Sequence, residues 1–201
     1  MTITRSALGS LGFGSVLLGV ASTLGCMSQK SLRASRSVPE QIAWPADYEP
    51  EKANFFVHNA IDIEAPPQVV WEILIQAETW PRWYEGASEV EVRGPSELLQ
   101  SNSVFRWKTM GIRFTSVVRQ FEPYARLSWS SERTMIKGYH AWLILPRQGG
   151  CTLITDESQH GWLTFFEKVF QPRKLHRLHN VWLRAIKTKA EKQVRLAAAK
   201  P

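Results

Sequence analysis

The sequence predicts an α+β domain: a curved antiparallel sheet of about seven strands wrapped around one long C-terminal helix, with two short helices after the first strand. Three observations predict it. The strand-like stretch Ile61-Asp62-Ile63-Glu64 runs into Pro66-Pro67 and gives way to a short helical run. The middle of the chain alternates apolar and polar residues between turn signals. The C-terminal part changes to three- and four-residue apolar spacing. A helix lying across a cupped sheet is a suitable container for an apolar small molecule.

The first 25 residues carry one charge, Arg5, and no acid. Ala7 to Leu24 is an uncharged run that ends at Ser22-Thr23-Leu24-Gly25, directly before Cys26. A positive start, an apolar run and small residues at its end describe a secretory signal. With a cysteine at this place it resembles a bacterial lipoprotein signal, in which the cysteine (here Cys26) is lipidated and becomes the new first residue. Leu24 stands two places before Cys26 rather than three, a departure from that pattern. An uncleaved membrane anchor and ordinary secretion are the alternatives. The expected location is the bacterial cell envelope, with the domain held at a membrane by its N-terminus. Residues 1–25 are then signal or anchor. Residues 26–53, polar and including Pro39, Pro45 and Pro50, are a flexible linker from which Trp44 could dock on the domain, and 54–201 are the domain. If Cys26 is lipidated, the second cysteine, Cys151, has no partner within the chain.

The net charge is +7, and losing residues 1–25 removes only Arg5. Much of the excess lies in the last helix. Behind an export signal, nucleic acid is excluded as a partner. Anionic lipid headgroups could meet the basic face, or water could solvate it. Nine Trp in 201 residues supply large apolar area, either as core filling or as cavity wall.

The elements follow in order. Phe55 to Ile63 alternates as a first strand and stops at the proline pair. Gln68 to Ala77 places Val70, Ile73, Leu74 and Ala77 at helical spacing. Trp80-Pro81-Arg82-Trp83 forms a short second helix or turn, because Pro81 disfavours a helical residue before it. Ser88 to Arg93 is a short strand. Val104 to Lys108 and Ile112 to Phe121 flank the hairpin turn Thr109-Met110-Gly111. Phe105, Trp107, Phe114, Ser116 and Val118 fall on one face, and Arg106, Lys108, Arg113, Thr115 and Arg119 on the other. Leu127 and Trp129 alternate with Ser128 and Ser130. Ile136 to Leu145 is apolar on both faces, so its inward side stays open. Thr152 to Gln159 closes the meander, and Gly161 ends the sheet. After Pro172, the spacing of Leu175, Leu178, Trp182 and Ala185 marks a helix of about seven turns, with most of its Lys and Arg elsewhere.

This layout resembles the START-related SRPBCC superfamily, the helix-grip fold, and within it the polyketide cyclase/dehydrase-like branch. The residues carrying the likeness are Ala65-Pro66 before Val69-Val70-Trp71, the Trp80-Pro81-Arg82-Trp83 knot, Phe105-Arg106-Trp107-Lys108, and Phe114-Thr115-Ser116. Phe121-Glu122-Pro123, Tyr139-His140-Ala141-Trp142 and Asp156-Glu157-Ser158 complete the set. It spans roughly residues 54 to 190. The resemblance implies an apolar cavity between sheet and helix, taking lipids, sterols, quinones or polyketides. It does not by itself imply a reaction.

The expected ligand contacts are Trp83, Trp107, Phe114, Ser116, Trp129, Tyr139, Trp142, Phe166 and Trp182, with Glu157 or His140 fixing one polar end. On this reading the protein is a membrane-tethered binding domain for a hydrophobic molecule. A second reading is a cyclase/dehydrase-type enzyme. In it Glu157, its pKa raised by an apolar cavity, would serve as acid or base, with His140 or Tyr139 as helper. A third is a structural envelope protein with a collapsed cavity and a basic helix that meets a partner. His160, His176 and His179 raise the question of metal. His176 and His179 share a helix face, but spacing supplies no carboxylate or cysteine, and Arg173, Lys174 and Arg177 would repel a cation. No metal and no cofactor are therefore expected. There is no Gly-rich phosphate loop and no nucleophile elbow, and no motif sets an oligomeric state.

Overall fold

A computed structural model describes residues 42–162, 164 and 173–199. Seven antiparallel strands form one sheet: β1 Phe55–Ile63, β2 Ser88–Arg93, β3 Val104–Thr109, β4 Ile112–Glu122, β5 Arg126–Arg133, β6 Ile136–Arg147 and β7 Gly150–His160. Their order is β1-β7-β6-β5-β4-β3-β2, a meander from β2 to β7 with β1 added at its far edge. Helix α1, Pro67–Ile75, and a 3-10 helix over Ala77–Arg82 follow β1. Helix α2, Lys174–Ala198, packs on β1 and α1.

Local chemistry explains these limits. Pro67 sits in the first turn of α1, where a missing N–H costs nothing. The β3–β4 hairpin turns on Met110 and Gly111, with φ of 53° and 86°. Two positive values suit a tight turn whose twist matches its strands. Gly150 opens β7 where a side chain has no room: a Cβ there would collide with the carbonyl oxygen of Ile63. Gly150→Ala is expected to cost about 1–3 kcal/mol, as overpacking does. Urea denaturation should show a lowered midpoint with the slope unchanged.

Strand register settles the face that β6 leaves open in sequence. Residues paired across the sheet share a face, so one row on the helix side reads Val57, Glu157, His140, Trp129, Val118. His140 and Trp142 therefore point toward α2, and Tyr139 points away. The core between sheet and helices is built of rings. Trp80, Trp129, Trp142 and Trp182 are all under 2 % exposed. Trp182 lies 4.9 Å from Trp80, 5.0 Å from Trp142 and 4.3 Å from Tyr84, centroid to centroid.

The opposite face carries a smaller cluster. Ile42, Tyr48, Tyr139 and Ala141 are buried together, with Trp44 packed against them. Residues 42–53, expected as linker, instead carry two 3-10 turns, Ala46–Tyr48 and Pro50–Lys52, and belong to the folded unit. The reason is apolar area: Trp44 meets Phe56 and Tyr139, and Tyr48 meets Tyr139. Among the described residues no helix is long and apolar enough to cross a membrane.

Candidate functional site

The rings fill the middle of the space between sheet and helix. What stays open is a small pocket at the end near the β3–β4 turn and the first turn of α2. Its walls are Trp107, Met110, Phe114, Ile136 and Leu175, and its floor is Ser131, Gly138, Glu157 and Gln159. The hollow measures about 30 Å³, room for about two waters. Small residues make it possible. Ser131, Gly138 and Gln159 form one cross-strand row, and Gly138 offers no side chain over Glu157.

Glu157 organises the floor. Its side chain is 16 % exposed, and His140 Nδ1 and His179 Nε2 each lie 3.1 Å from its Oε2. Gln159 Nε2 donates to its Oε1 at 2.6 Å. Both histidines are buried. His140 is fixed from its other side by Thr155 Oγ1, 2.7 Å from Nε2. Burial alone would push the Glu157 carboxyl up. The hydrogen bonds and the charges of His140 and His179 together outweigh it and hold the group well below the usual carboxylate range. This reverses the raised pKa expected from sequence, because the partners arrive from β6 and α2 and are invisible in β7 alone. Desolvation moves His140 down from its ordinary value, despite Glu157 beside it.

The residues expected at the site separate into groups. Trp107, Phe114 and Glu157 line the pocket. Ser116 is fully buried behind it, accepting from Trp107 Nε1 at 2.9 Å and sharing a hydrogen bond with Ser131. Trp129, Trp142 and Trp182 touch one another and His140 rather than open space. Tyr139 is on the wrong face for a ligand contact. Its hydroxyl pairs with Ser128 at 2.5 Å, and its ring lies under Trp44 and Tyr48. Trp83 sits half-buried beside the 3-10 helix, its N–H on Thr79 Oγ1 and Lys189 over its ring. Phe166 and Cys26 lie outside the described residues.

His179 is the residue the sequence undervalues. It falls on the buried stripe of α2 with Leu175, Leu178, Trp182 and Ile186. A histidine inside an apolar stripe is the signal that pairing it with His176 obscured. His176 is exposed and turns instead to Asn59 Nδ2, 2.9 Å away.

A curved sheet gripping a long helix, with a polar cluster at the end of its ring-packed interior, defines an SRPBCC-type helix-grip domain. The family described as polyketide cyclase / dehydrase and lipid transport matches residues 55–191, and the chain belongs to it. No curated protein matches. Solved structures show the same fold. A hypothetical protein of Helicobacter pylori is 23% identical with a TM-score of 0.69, covering 74% of this chain and 95% of its own. The Zhui aromatase/cyclase of a Streptomyces species is 16% identical with a TM-score of 0.60, covering 71% and 97%. StfQ, the di-domain aromatase/cyclase of the steffimycin pathway, is 13% identical with a TM-score of 0.60, covering 82% and 62%.

Proposed function

We propose that this protein binds a small hydrophobic molecule, lipid-, quinol- or polyketide-like, through a hydrogen-bond-donating end group seated on Glu157. The observation that carries the reading is the Glu157 carboxyl, held by His140, His179 and Gln159 at the floor of a pocket walled by Trp107, Met110, Phe114 and Leu175. A carboxylate only accepts hydrogen bonds, so it selects a hydroxyl, phenol or amine over a carbonyl. The hollow admits the head of such a molecule, and its body lies across the mouth. A carboxyl lowered by two imidazole partners and already bonded to three side chains is poorly placed as a general acid, which favours recognition over cyclase or dehydrase chemistry. The N-terminal signal and Cys26 complete the proposal: a lipid tether that holds the domain at the envelope membrane. Loss of the chain from the membrane fraction on Cys26→Ala tests that part.

The pocket is tested by titrating the full chain with 1-naphthol and with naphthalene, followed by tryptophan fluorescence. Naphthol is expected to bind more tightly. Glu157→Gln is expected to weaken it about tenfold or more, since a hydrogen bond to a charged group contributes about 1.5–3 kcal/mol. Equal binding of both probes, or naphthol affinity unchanged in Glu157→Gln, would overturn the assignment.

A further inference from the structure

We propose that His140, Glu157 and His179 form a binding site for one first-row divalent transition ion, of which Zn²⁺ is the natural probe. The three ligand atoms, His140 Nδ1, Glu157 Oε2 and His179 Nε2, all lie within 4.8 Å of one another. Both nitrogens stand 3.1 Å from the carboxylate oxygen. Tetrahedral zinc with bonds of about 2.0–2.1 Å holds its ligand atoms about 3.3 Å apart. The two histidine–glutamate spacings already lie close to that value, and the third, within 4.8 Å, has to close to it when the ion binds.

Four further features fit an ion better than a bare hydrogen-bonded trio. The first is the donor set: two imidazoles and one carboxylate suit a borderline-soft divalent ion. The second is charge. Among the described residues no lysine or arginine pairs with Glu157, so its partners are the neutral Gln159 amide and two imidazoles, which can turn a lone pair inward as readily as an N–H. The third is support: Thr155 Oγ1 at 2.7 Å can accept the far N–H of His140, the outer-shell bond that fixes a ligating imidazole. The fourth is access. Glu157 lines the small pocket, so three protein ligands leave a position open to water or to a ligand oxygen. The ligands come from rigid places: neighbouring positions on β6 and β7, and the buried stripe of α2. Of the basic residues that argue against a cation in sequence, none is among the charges that act on Glu157. Arg177 reaches toward Glu85, and His176, their neighbour, turns to Asn59.

The site stands whether or not the pocket also takes an organic molecule. With the ion in place, a phenolic head would bind as phenolate and release its proton to solvent.

The test is a Zn²⁺ titration of the full chain after chelation, with no organic ligand present. It is read by native mass spectrometry, thermal unfolding, and the visible absorption of the Co²⁺ form. One ion per chain, a raised Tm and Co²⁺ bands of a low-coordinate site are expected. Glu157→Gln, which preserves shape, and His179→Ala should each weaken binding at least about 100-fold, the upper range for mere outer-shell partners. Thr155→Ala should weaken it about tenfold and serves if His179→Ala fails to fold. His160→Asn, outside the cluster, should leave it unchanged. No stoichiometric Zn²⁺, or affinity equal in wild type and Glu157→Gln, would overturn the site. Because naphthol binding is measured separately, it can survive that failure, and the two readings remain distinguishable.

Discussion

Trp182→Ala is expected to destabilise the protein by about 3–5 kcal/mol, the range for truncating a buried tryptophan. Trp182 is 1 % exposed and joins α2 to the sheet. Its ring meets Trp80, Trp107, Trp129, Trp142, His140 and Tyr84. Removing it leaves a ring-sized void whose rigid neighbours cannot collapse inward. Two controls separate packing from polarity. The Trp182 indole N–H has no acceptor among the described residues, so Trp182→Phe gives up contact area without breaking a hydrogen bond. It should cost well under half as much. Free indole should bind the alanine variant and recover part of its stability by mass action, a larger gain than any it gives the wild type through the Glu157 pocket. Chemical denaturation with and without indole reads all three. If indole fails to rescue, the core has relaxed into the void, and the ring cluster is less rigid than its packing implies.

His58→Ala carries the second large effect, and a pH signature. His58 Nδ1 lies 2.6 Å from Asp156 Oδ1, and the Asp156 side chain is wholly buried. The other oxygen, Oδ2, has no partner among the described residues. Deleting the imidazole strands a buried carboxyl, a loss of about 3–5 kcal/mol when both partners are buried. His58 is about a third exposed, so water screens the pair and about 2 kcal/mol is expected. The hydrogen bond to Asp156 raises the His58 pKa above its ordinary value against the opposing effect of burial. Between the unfolded and the raised folded value, the native state holds the extra proton. The stabilisation is thus fully present below about pH 6.5 and is lost as pH rises through the folded value. His140 and Glu157 act in the opposite direction. Their folded values are lowered, so they favour the native state above their unfolded values and lose that contribution as pH falls. The stability difference between wild type and His58→Ala, measured across pH 5 to 9, isolates the first effect. It should shrink toward high pH, and a constant difference would mean that the pair acts only as a neutral hydrogen bond.

The strands were legible because their signal is local. Phe105, Trp107, Phe114 and Ser116 alternate with the polar residues Arg106, Lys108, Arg113 and Thr115, and the β3–β4 turn announces itself in Met110-Gly111. Glu157 and Phe114 were legible as pocket residues for the same reason: parity along a strand fixes a face. Tyr139 was misplaced because β6 is apolar on both sides. Its outer face is covered by Trp44 and Tyr48, from a segment whose prolines and polar residues read as linker. Trp44 reads as a residue that could dock, but the pattern of β6 does not say which of its two apolar faces such a segment covers.

The sequence by itself determined the element order, the family and the apolar face of each amphipathic segment, because periodicity and turn chemistry act within a few residues. Only the tertiary structure decided that the rings close the middle of the cup, and that His140, Glu157 and His179 meet at its open end. Those contacts join β6, β7 and α2 across distances set by register and by the rotation of the helix, and neither is written in any local stretch of the chain.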